Sequence, residues 1–205
     1  MTTDPLLKYR EQHKHRLNYM PWLYWSLKPK HREWAEAWQA EYQAYLMEME
    51  TIEIGKNCFI SPLAHIFAER GRKISIGDNT FIAADCTLHG PLQIGSEVAI
   101  NHHCILDGGR AGIKLHDQVR IAAYSHLYAF DHGMDLDRPI YQQAVTSKGI
   151  EIGRDVWLGA HVGIKDGVKI GHHAVVGMNS MVTKNIEDFA IVAGNPARLI
   201  RYRTE

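Results

Sequence analysis

Histidine is the residue type that offers this chain the most chemistry. The 205 residues include 13 His and 5 Trp, together with three cysteines, Cys58, Cys86 and Cys104. An imidazole titrates at about pH 6.5, so it can remove a proton from a hydroxyl nucleophile at neutral pH. The cysteines lack CxxC spacing, which favours reduced thiols over a disulfide framework or a cysteine-rich zinc site. The histidines are therefore this chain's candidates for proton-transfer chemistry.

The overall composition indicates a folded globular protein without net charge. Lys plus Arg and Asp plus Glu both number 23, so bulk attraction to nucleic acid or anionic lipid is not expected. The length and the 45% apolar content predict one domain with a short appendage. We find no secretory signal and no apolar run approaching roughly 18 residues. A soluble, cytoplasmic protein without a membrane span is expected.

A six-residue period of aliphatic residues runs through most of the chain. Its members are Ile54, Ile60, Ile66, Ile76, Ile82, Leu88, Ile94, Ile100, Leu106, Leu115, Ile121, Leu127, Ile152, Leu158, Ile164, Ile170, Val176 and Val182. A small or β-branched residue follows most of them by four positions: Cys58, Ala64, Thr80, Cys86, Val98, Cys104, Val119, Ser125, Val156, Val162, Val168, Ala174 and Ser180. Because residues two apart in a strand share a face, each hexad buries one large and one small side chain.

This period predicts a solenoid of short strands separated by corners, in which coils become stable by stacking on one another. Glycine often follows the aliphatic residue, as at Gly77 and Gly153, where we expect it to relieve backbone strain at a corner. Every histidine from His65 to His173 lies outside both inward slots. The imidazoles are therefore predicted to lie outside the core.

Two interruptions of the period stand out. About three extra residues lie near Asp107–Arg110, and about nineteen lie between His132 and Gly149. A loop as long as the second one inside a compact repeat array is usually functional.

The two ends of the chain fall outside the repeat. Pro29 can begin a helix that continues through about residue 49 and is amphipathic. Its aromatic stripe consists of Trp34, Trp38, Tyr42, Tyr45 and Met49. We expect the stripe to cover the open end of the array or a neighbouring subunit rather than to bind a ligand. At the other end, Asn195 can cap and Pro196 can start a short helix.

Three segments resemble the hexapeptide-repeat acyltransferases. Ile150–Ala160 is similar to the family's tryptophan coil, and 176–184 and 193–198 are similar to its C-terminal signature. The long loop before the tryptophan coil narrows the resemblance to the galactoside, maltose and polysaccharide O-acetyltransferases. The resemblance implies an all-β fold, a left-handed parallel β-helix, with acetyl-CoA as co-substrate and no metal. We expect a helical extension at 1–50, the β-helix at 51–188 with an external loop at about 132–149, and a C-terminal cap segment at 189–205.

The same resemblance implies roles for individual residues. His132, at the mouth of the loop, corresponds to the general base, and His126 is the nearest alternative. The backbone N–H of Ala160 corresponds to the group that stabilises the oxyanion in a direct transfer. Asn101 corresponds to a residue that contacts the acceptor.

The remaining implied contacts are to the donor. Trp157 and Ala160 would lie along its pantetheine arm, and the residues near its adenine and phosphates would be Thr183, Lys184, Arg198 and Arg201. Cationic side chains suit phosphate. The family is typically a homotrimer with active sites between subunits.

Three other functions remain open. The first is N-acylation of an amino sugar. The second is a zinc enzyme similar to the γ-class carbonic anhydrases. It would need three convergent imidazoles, which a set such as His102, His103, His126 and His161 would supply across a subunit interface. The third is a non-catalytic solenoid scaffold, since a fold does not imply an activity.

Overall fold

The computed structural model describes residues 5–204, beginning with a helical extension. Helix α1 spans Pro5–Tyr19, a 3₁₀ helix spans Pro21–Ser26, and α2 spans Pro29–Met49. The bounds of α2 confirm the helix predicted from the aromatic stripe. The sequence has no apolar stripe that would predict α1 as a separate helix. Within 5–204, no helix is both long enough and apolar enough to cross a membrane.

Short strands follow α2 in a repeating order of three. The first nine are β1 Ile52–Ile54, β2 Phe59–Ile60, β3 His65–Phe67, β4 Ile74–Ile76, β5 Phe81–Ile82, β6 Thr87–His89, β7 Leu92–Ile94, β8 Ala99–Ile100 and β9 Ile105–Asp107. The next five are β10 Ile113–Leu115, β11 Arg120–Ile121, β12 His126–Tyr128, β13 Asp131–His132 and β14 Val145–Thr146. The last eight are β15 Ile150–Ile152, β16 Trp157–Leu158, β17 Gly163–Ile164, β18 Lys169–Ile170, β19 Val175–Val176, β20 Met181–Val182, β21 Ala190–Ala193 and β22 Arg198–Tyr202.

Three parallel sheets run the length of the solenoid and confirm the predicted architecture. Sheet A has the order β1-β4-β7-β10-β15-β18, and sheet C contains β3-β6-β9-β12-β17-β20. Sheet B has the order β2-β5-β8-β11-β16-β19 and continues into β21 and β22. The register aligns members of the aliphatic period, as in Ile54 with Ile76 and Ile76 with Ile94. Equivalent positions of the hexads therefore lie directly above one another in successive coils.

The side chains in the interior of the solenoid are those that the six-residue period predicts. Every aliphatic residue of the period is buried except Ile54, which is partly buried against the same cluster. All thirteen residues of the small slot are buried as well. The three cysteines are free and buried, in line with their small-slot positions.

The corner glycines have a different role from the expected one. Gly77 has no positive φ, but a Cβ there would lie 2.6 Å from the backbone of Gly95 and Ser96 in the next coil. Close stacking, not conformational strain, requires glycine. The left-handed conformation falls two residues later and is adopted by larger residues: Asn57, Asn79, Glu97, Gln118, Asp155 and His173 at one corner, and Asp85, His103, Tyr124, His161 and Asn179 at another.

The helix predicted after Pro196 is wrong. Arg198–Tyr202 is instead strand β22, which pairs antiparallel with β21, while β21 pairs parallel with β19. Five residues are too few for a stable isolated helix, whereas the free edge of β21 offers unpaired backbone groups. The N–H of Arg203 also donates to the carbonyl of Phe189, so the chain remains in contact beyond the strand.

Helix α2 closes the first coil through two glutamines. Gln39 is buried and makes two hydrogen bonds to the backbone of Ile60, donating to its carbonyl at 3.1 Å and accepting from its N–H at 2.8 Å. Gln43 donates to the carbonyl of Cys58 at 2.9 Å. The free edge of β2 is thereby satisfied. The cap expected from the sequence covers the open end of the same chain.

Aromatic residues of the extension also cover the outer face of sheet B. Trp38 contacts Phe59 at 5.9 Å between ring centroids, and Trp25 contacts Phe81 at 6.1 Å. Together with Leu17 these residues belong to a second apolar cluster, separate from the solenoid core. The extension leaves the same face uncovered farther along, at the coil that carries Trp157, which is 55% exposed.

Candidate active site

The long loop is an ordered hairpin. Its strands β13 and β14 pair antiparallel, with His132 opposite Val145, and a 3₁₀ helix at Ile140–Gln142 lies between them. The side chain of Gln143 organises the tip. Its amide donates to the carbonyls of Asp135 and Arg138 at 2.8 Å, and its oxygen accepts from the N–H of Asp135 at 2.8 Å.

The base of this hairpin is fixed to the solenoid by two polar side chains, the partly buried Ser147 and the buried Asp166. Ser147 Oγ donates to the carbonyl of Ala129 and accepts the N–H groups of Arg110 and Ala111. The buried carboxylate of Asp166 accepts the N–H groups at positions 148 and 149 at 2.9–3.0 Å. The two interruptions of the repeat, near 107–110 and at 132–149, therefore meet in space.

His132 lies near the start of the hairpin with its imidazole exposed. Its ring is edge-on to Phe130, with centroids 6.3 Å apart. The neighbouring Asp131 forms an ion pair with Lys165 at 3.1 Å, which ties β13 to the coil that follows the tryptophan. Among residues 5–204, the ring nitrogens of His132 have no hydrogen-bond partner. They are available to an incoming hydroxyl.

Asn101 and Ala160 lie at the corner between sheets B and C, two coils apart. The register aligns Ile100 with Ile121 and Ile121 with Leu158, so roughly 10 Å separate the two corners. Asn101 uses its side-chain amide to donate to the carbonyl of Ile121 at 2.9 Å. The N–H of Ala160 has no acceptor within the described chain and remains free to donate.

Trp157 lies in an open groove of about 600 Å³ on the outer face of sheet B. Of the predicted donor contacts, Arg201 lines the same groove. Two further cations were missed from the sequence, Arg120 and Arg203. Arg120 pairs directly with Trp157 across the sheet. The sequence did contain a signal for Arg120. This residue immediately precedes Ile121 of the six-residue period, just as Trp157 immediately precedes Leu158.

Thr183, Lys184 and Arg198 lie apart from this groove. They line a cavity of about 320 Å³ on the other face of the hairpin β21–β22, where Val192 and Ala197 provide apolar surface. Apart from Ala160, which lies at the corner between sheets B and C, the predicted donor contacts thus fall into two sets, one around Trp157 and one behind the terminal hairpin.

A carboxylate holds the chain end at the Trp157 groove. His173 Nδ1 donates to Asp155 at 2.9 Å, and Arg203 Nη1 donates to the same oxygen at 3.3 Å. The hydrogen bond from His173 first, and then Arg203, hold the pKa of Asp155 below its ordinary value of 3.8. A lowered pKa means that this carboxylate stabilises the fold above pH 3.8 and ceases to do so as the pH falls through the lowered value.

Asp155→Asn is therefore expected to lower the melting temperature at pH 7, with a smaller deficit at about pH 3, because the contribution of the carboxylate decreases once the pH is below the ordinary pKa of 3.8. Thermal unfolding followed by circular dichroism at both pH values measures the difference. Asp137→Asn, in the exposed loop, is the matched control. A deficit of equal size at both pH values would contradict this account.

The histidines considered as zinc ligands do not converge. Tyr124 is stacked between His103 and His161, with centroid distances of 4.7 and 4.9 Å. His126 lies instead on sheet C against Gly163. Burial, and then the charge of His103, lower the pKa of His102. The described part of the chain contains no group of three His, Cys, Asp or Glu residues that could hold a metal ion.

Comparisons with known proteins agree with this fold. The family described as bacterial transferase hexapeptide (six repeats) matches residues 149–184. A solved variant of AntD, an N-acyltransferase from Bacillus cereus in complex with dTDP and coenzyme A, has a TM-score of 0.71 and 32% identity, covering 79% of this chain and 90% of that chain. The chain belongs to the hexapeptide-repeat transferase family.

Two curated relatives extend the comparison. A Mycobacterium tuberculosis protein named "Probable acetyltransferase" is 32% identical over 136 residues, which are 66% of this chain and 44% of that protein. This chain thus spans less than half the length of that relative. The galactoside O-acetyltransferase of Escherichia coli is 28% identical over 165 residues, covering 80% of this chain and 70% of the relative.

Proposed function

We propose that this protein is an acetyl-CoA-dependent acyltransferase that O-acetylates a sugar hydroxyl in a cytoplasmic polysaccharide or glycan pathway. The observation that carries the proposal is the exposed imidazole of His132, held at the base of an ordered loop and without a hydrogen-bond partner in the described chain. His132 takes the proton of the acceptor hydroxyl as the oxygen attacks the thioester carbonyl. The thiolate of coenzyme A then leaves, and no acyl-enzyme forms.

The backbone N–H of Ala160 stabilises the oxyanion of the tetrahedral intermediate, and its free donor suits that role. Asn101 contacts the acceptor at the same corner. Trp157 lies along the pantetheine arm, with Arg201 directed at phosphate. Thr183, Lys184 and Arg198 form a second contact region behind the terminal hairpin.

Calorimetric titration of the metal-free protein with acetyl-CoA tests the donor assignment. We expect binding at about the micromolar level, weakened about tenfold by Trp157→Ala through the lost contact area of the indole along the pantetheine arm. Trp22→Ala is the matched control, because Trp22 is 49% exposed but lies on the extension. Absence of acetyl-CoA binding would favour the non-catalytic solenoid scaffold, and zinc binding in its place would favour the zinc enzyme.

N-acylation of an amino sugar is the second candidate. The similarity to AntD, described as an N-acyltransferase, favours it, whereas the galactoside O-acetyltransferase favours a hydroxyl acceptor. Thiol release measured with matched acceptors that carry a hydroxyl or an amine at the same carbon distinguishes the two. Faster release with the hydroxyl acceptor supports O-acetylation.

We further propose a homotrimer whose active sites lie between subunits. Exposed apolar side chains on the loop, Met134, Leu136 and Tyr141, support contact with another copy. Light scattering is expected to give about three times the 23.3 kDa chain mass. A monomeric mass would contradict the proposal.

A further inference from the structure

A second cleft lies in the helical extension, away from the residues assigned to acyl transfer. It has a volume of about 380 Å³ and lies between α1, the first 3₁₀ helix and the start of α2. Five of its lining residues are basic: His13, Arg16, Lys28, Lys30 and His31. None of its lining residues is acidic. We call it the cationic cleft.

The positive charge of this cleft is not neutralised within the described chain. Arg16, Lys28 and Lys30 have no carboxylate within ion-pair distance there, whereas the nearby Lys14 and Arg32 pair with glutamates. Residues 5–34 contain seven Lys or Arg and only two Glu, although the whole chain has no net charge. Like charges gathered in one cleft repel one another, and a bound anion removes that cost.

Two histidines of the cleft, His13 and His31, lie among the same positive charges. The rings of His13 and His31 are 4.6 Å apart. Burial is the largest cause that lowers the pKa of His13, followed by the charges of His31, Arg16 and Lys30. Arg16, Lys28 and Lys30 line the same cleft, and together they attract a phosphate more strongly than a single surface lysine would.

The remaining lining gives the cleft an apolar side. Leu17 is buried, and Leu23 and Leu27 line the cleft with it. The volume lies within the range of small-molecule sites. A cleft with cations on one side and leucines on the other fits an amphipathic phosphorylated molecule better than a bare inorganic ion.

We propose that the cationic cleft binds a phosphate-bearing ligand, with the phosphate held by Arg16, Lys28 and Lys30 and its apolar part against the partly exposed Leu23 and Leu27. The cleft shares no lining residue with the Trp157 groove or with the cavity behind the terminal hairpin. It is therefore a site separate from that of the acyl donor. The ligand is either a free phosphorylated compound or a lipid headgroup.

Titration of the full chain with inorganic pyrophosphate at low ionic strength tests the site. We expect saturable binding, weakened about tenfold or more by Arg16→Gln/Lys30→Gln, because two charge-assisted contacts are lost. Lys8→Gln/Arg10→Gln is the matched control. It removes the same charge from exposed positions of α1 outside the cleft. Thermal melts confirm that both variants remain folded.

The outcomes separate this site from acyl transfer and identify the source of the phosphate. Co-sedimentation with phosphatidic acid vesicles that is lost in the cleft variant and kept in the control assigns a lipid headgroup. If the cleft variant loses pyrophosphate binding while the control keeps it, and no variant binds vesicles, the ligand is a free phosphorylated compound. Equal losses in both variants, no saturable binding to either probe, or loss of acetyl-CoA affinity in the cleft variant would overturn the assignment.

Discussion

His132→Ala is expected to lower kcat for acetyl transfer to a hydroxyl acceptor by at least about 100-fold, the usual scale of general-base catalysis. The affinity for acetyl-CoA should not change, because the proposed role of the imidazole is to act on the acceptor and not to bind the donor. Thiol release measures the rate, and calorimetry measures the affinity. A smaller loss is expected with an amine acceptor, since an unprotonated amine needs less activation than a hydroxyl.

His126→Ala is the matched control for this substitution. His126 is also exposed and lies on β12, six residues earlier, but against Gly163 and outside the loop hairpin. We expect it to retain most of the activity. Near-normal turnover by His132→Ala together with a large loss in His126→Ala would move the role of the base to His126.

Gly77→Ala is expected to reduce the free energy of unfolding by about 3 kcal/mol, the upper part of the range for overpacking. The added methyl would lie 2.6 Å from backbone atoms of the next coil, which cannot move without disturbing the stack. Urea unfolding at a fixed protein concentration measures the change.

Gly71→Ala separates the two possible reasons for glycine in this fold. Gly71 has φ of +87° and open space around its Cβ position, so alanine there suffers backbone strain without a clash. Its expected cost is about 1 kcal/mol. A Gly71→Ala cost larger than that of Gly77→Ala would show that conformational freedom matters more than close stacking.

The repeat could be predicted from the sequence because its cause is local. A large aliphatic such as Ile82 and a small residue such as Cys86 recur at fixed spacing, and this periodicity determines which side chains face the interior. The role of glycine could not be derived in the same way. The contact that excludes a side chain at Gly77 involves Gly95 and Ser96, and only the stacked coils bring those residues together.

The structure of residues 198–202 and the lining of the Trp157 groove could not be predicted either, because both depend on contacts between residues that are distant in the sequence. Whether 198–202 forms a helix or a strand depends on the free edge of β21, which local propensity does not reveal. Arg120 and Arg203 lie 83 positions apart in the sequence, yet both line the groove of Trp157. His132, by contrast, is predicted from the resemblance to the O-acetyltransferases, which implies a general base at the mouth of the long loop.

The closure of the first coil by α2 has a consequence for self-association. Stacked coils form an edge that could template the addition of another chain, as in fibril growth. Gln39 and Gln43 occupy backbone groups of Ile60 and Cys58 that an incoming strand would need. At the opposite end β22 covers β21 by antiparallel pairing. The α2 end of sheet B is thus blocked, and the opposite end finishes in an antiparallel strand, so two solenoids cannot join end to end by continuing the parallel sheet through β2.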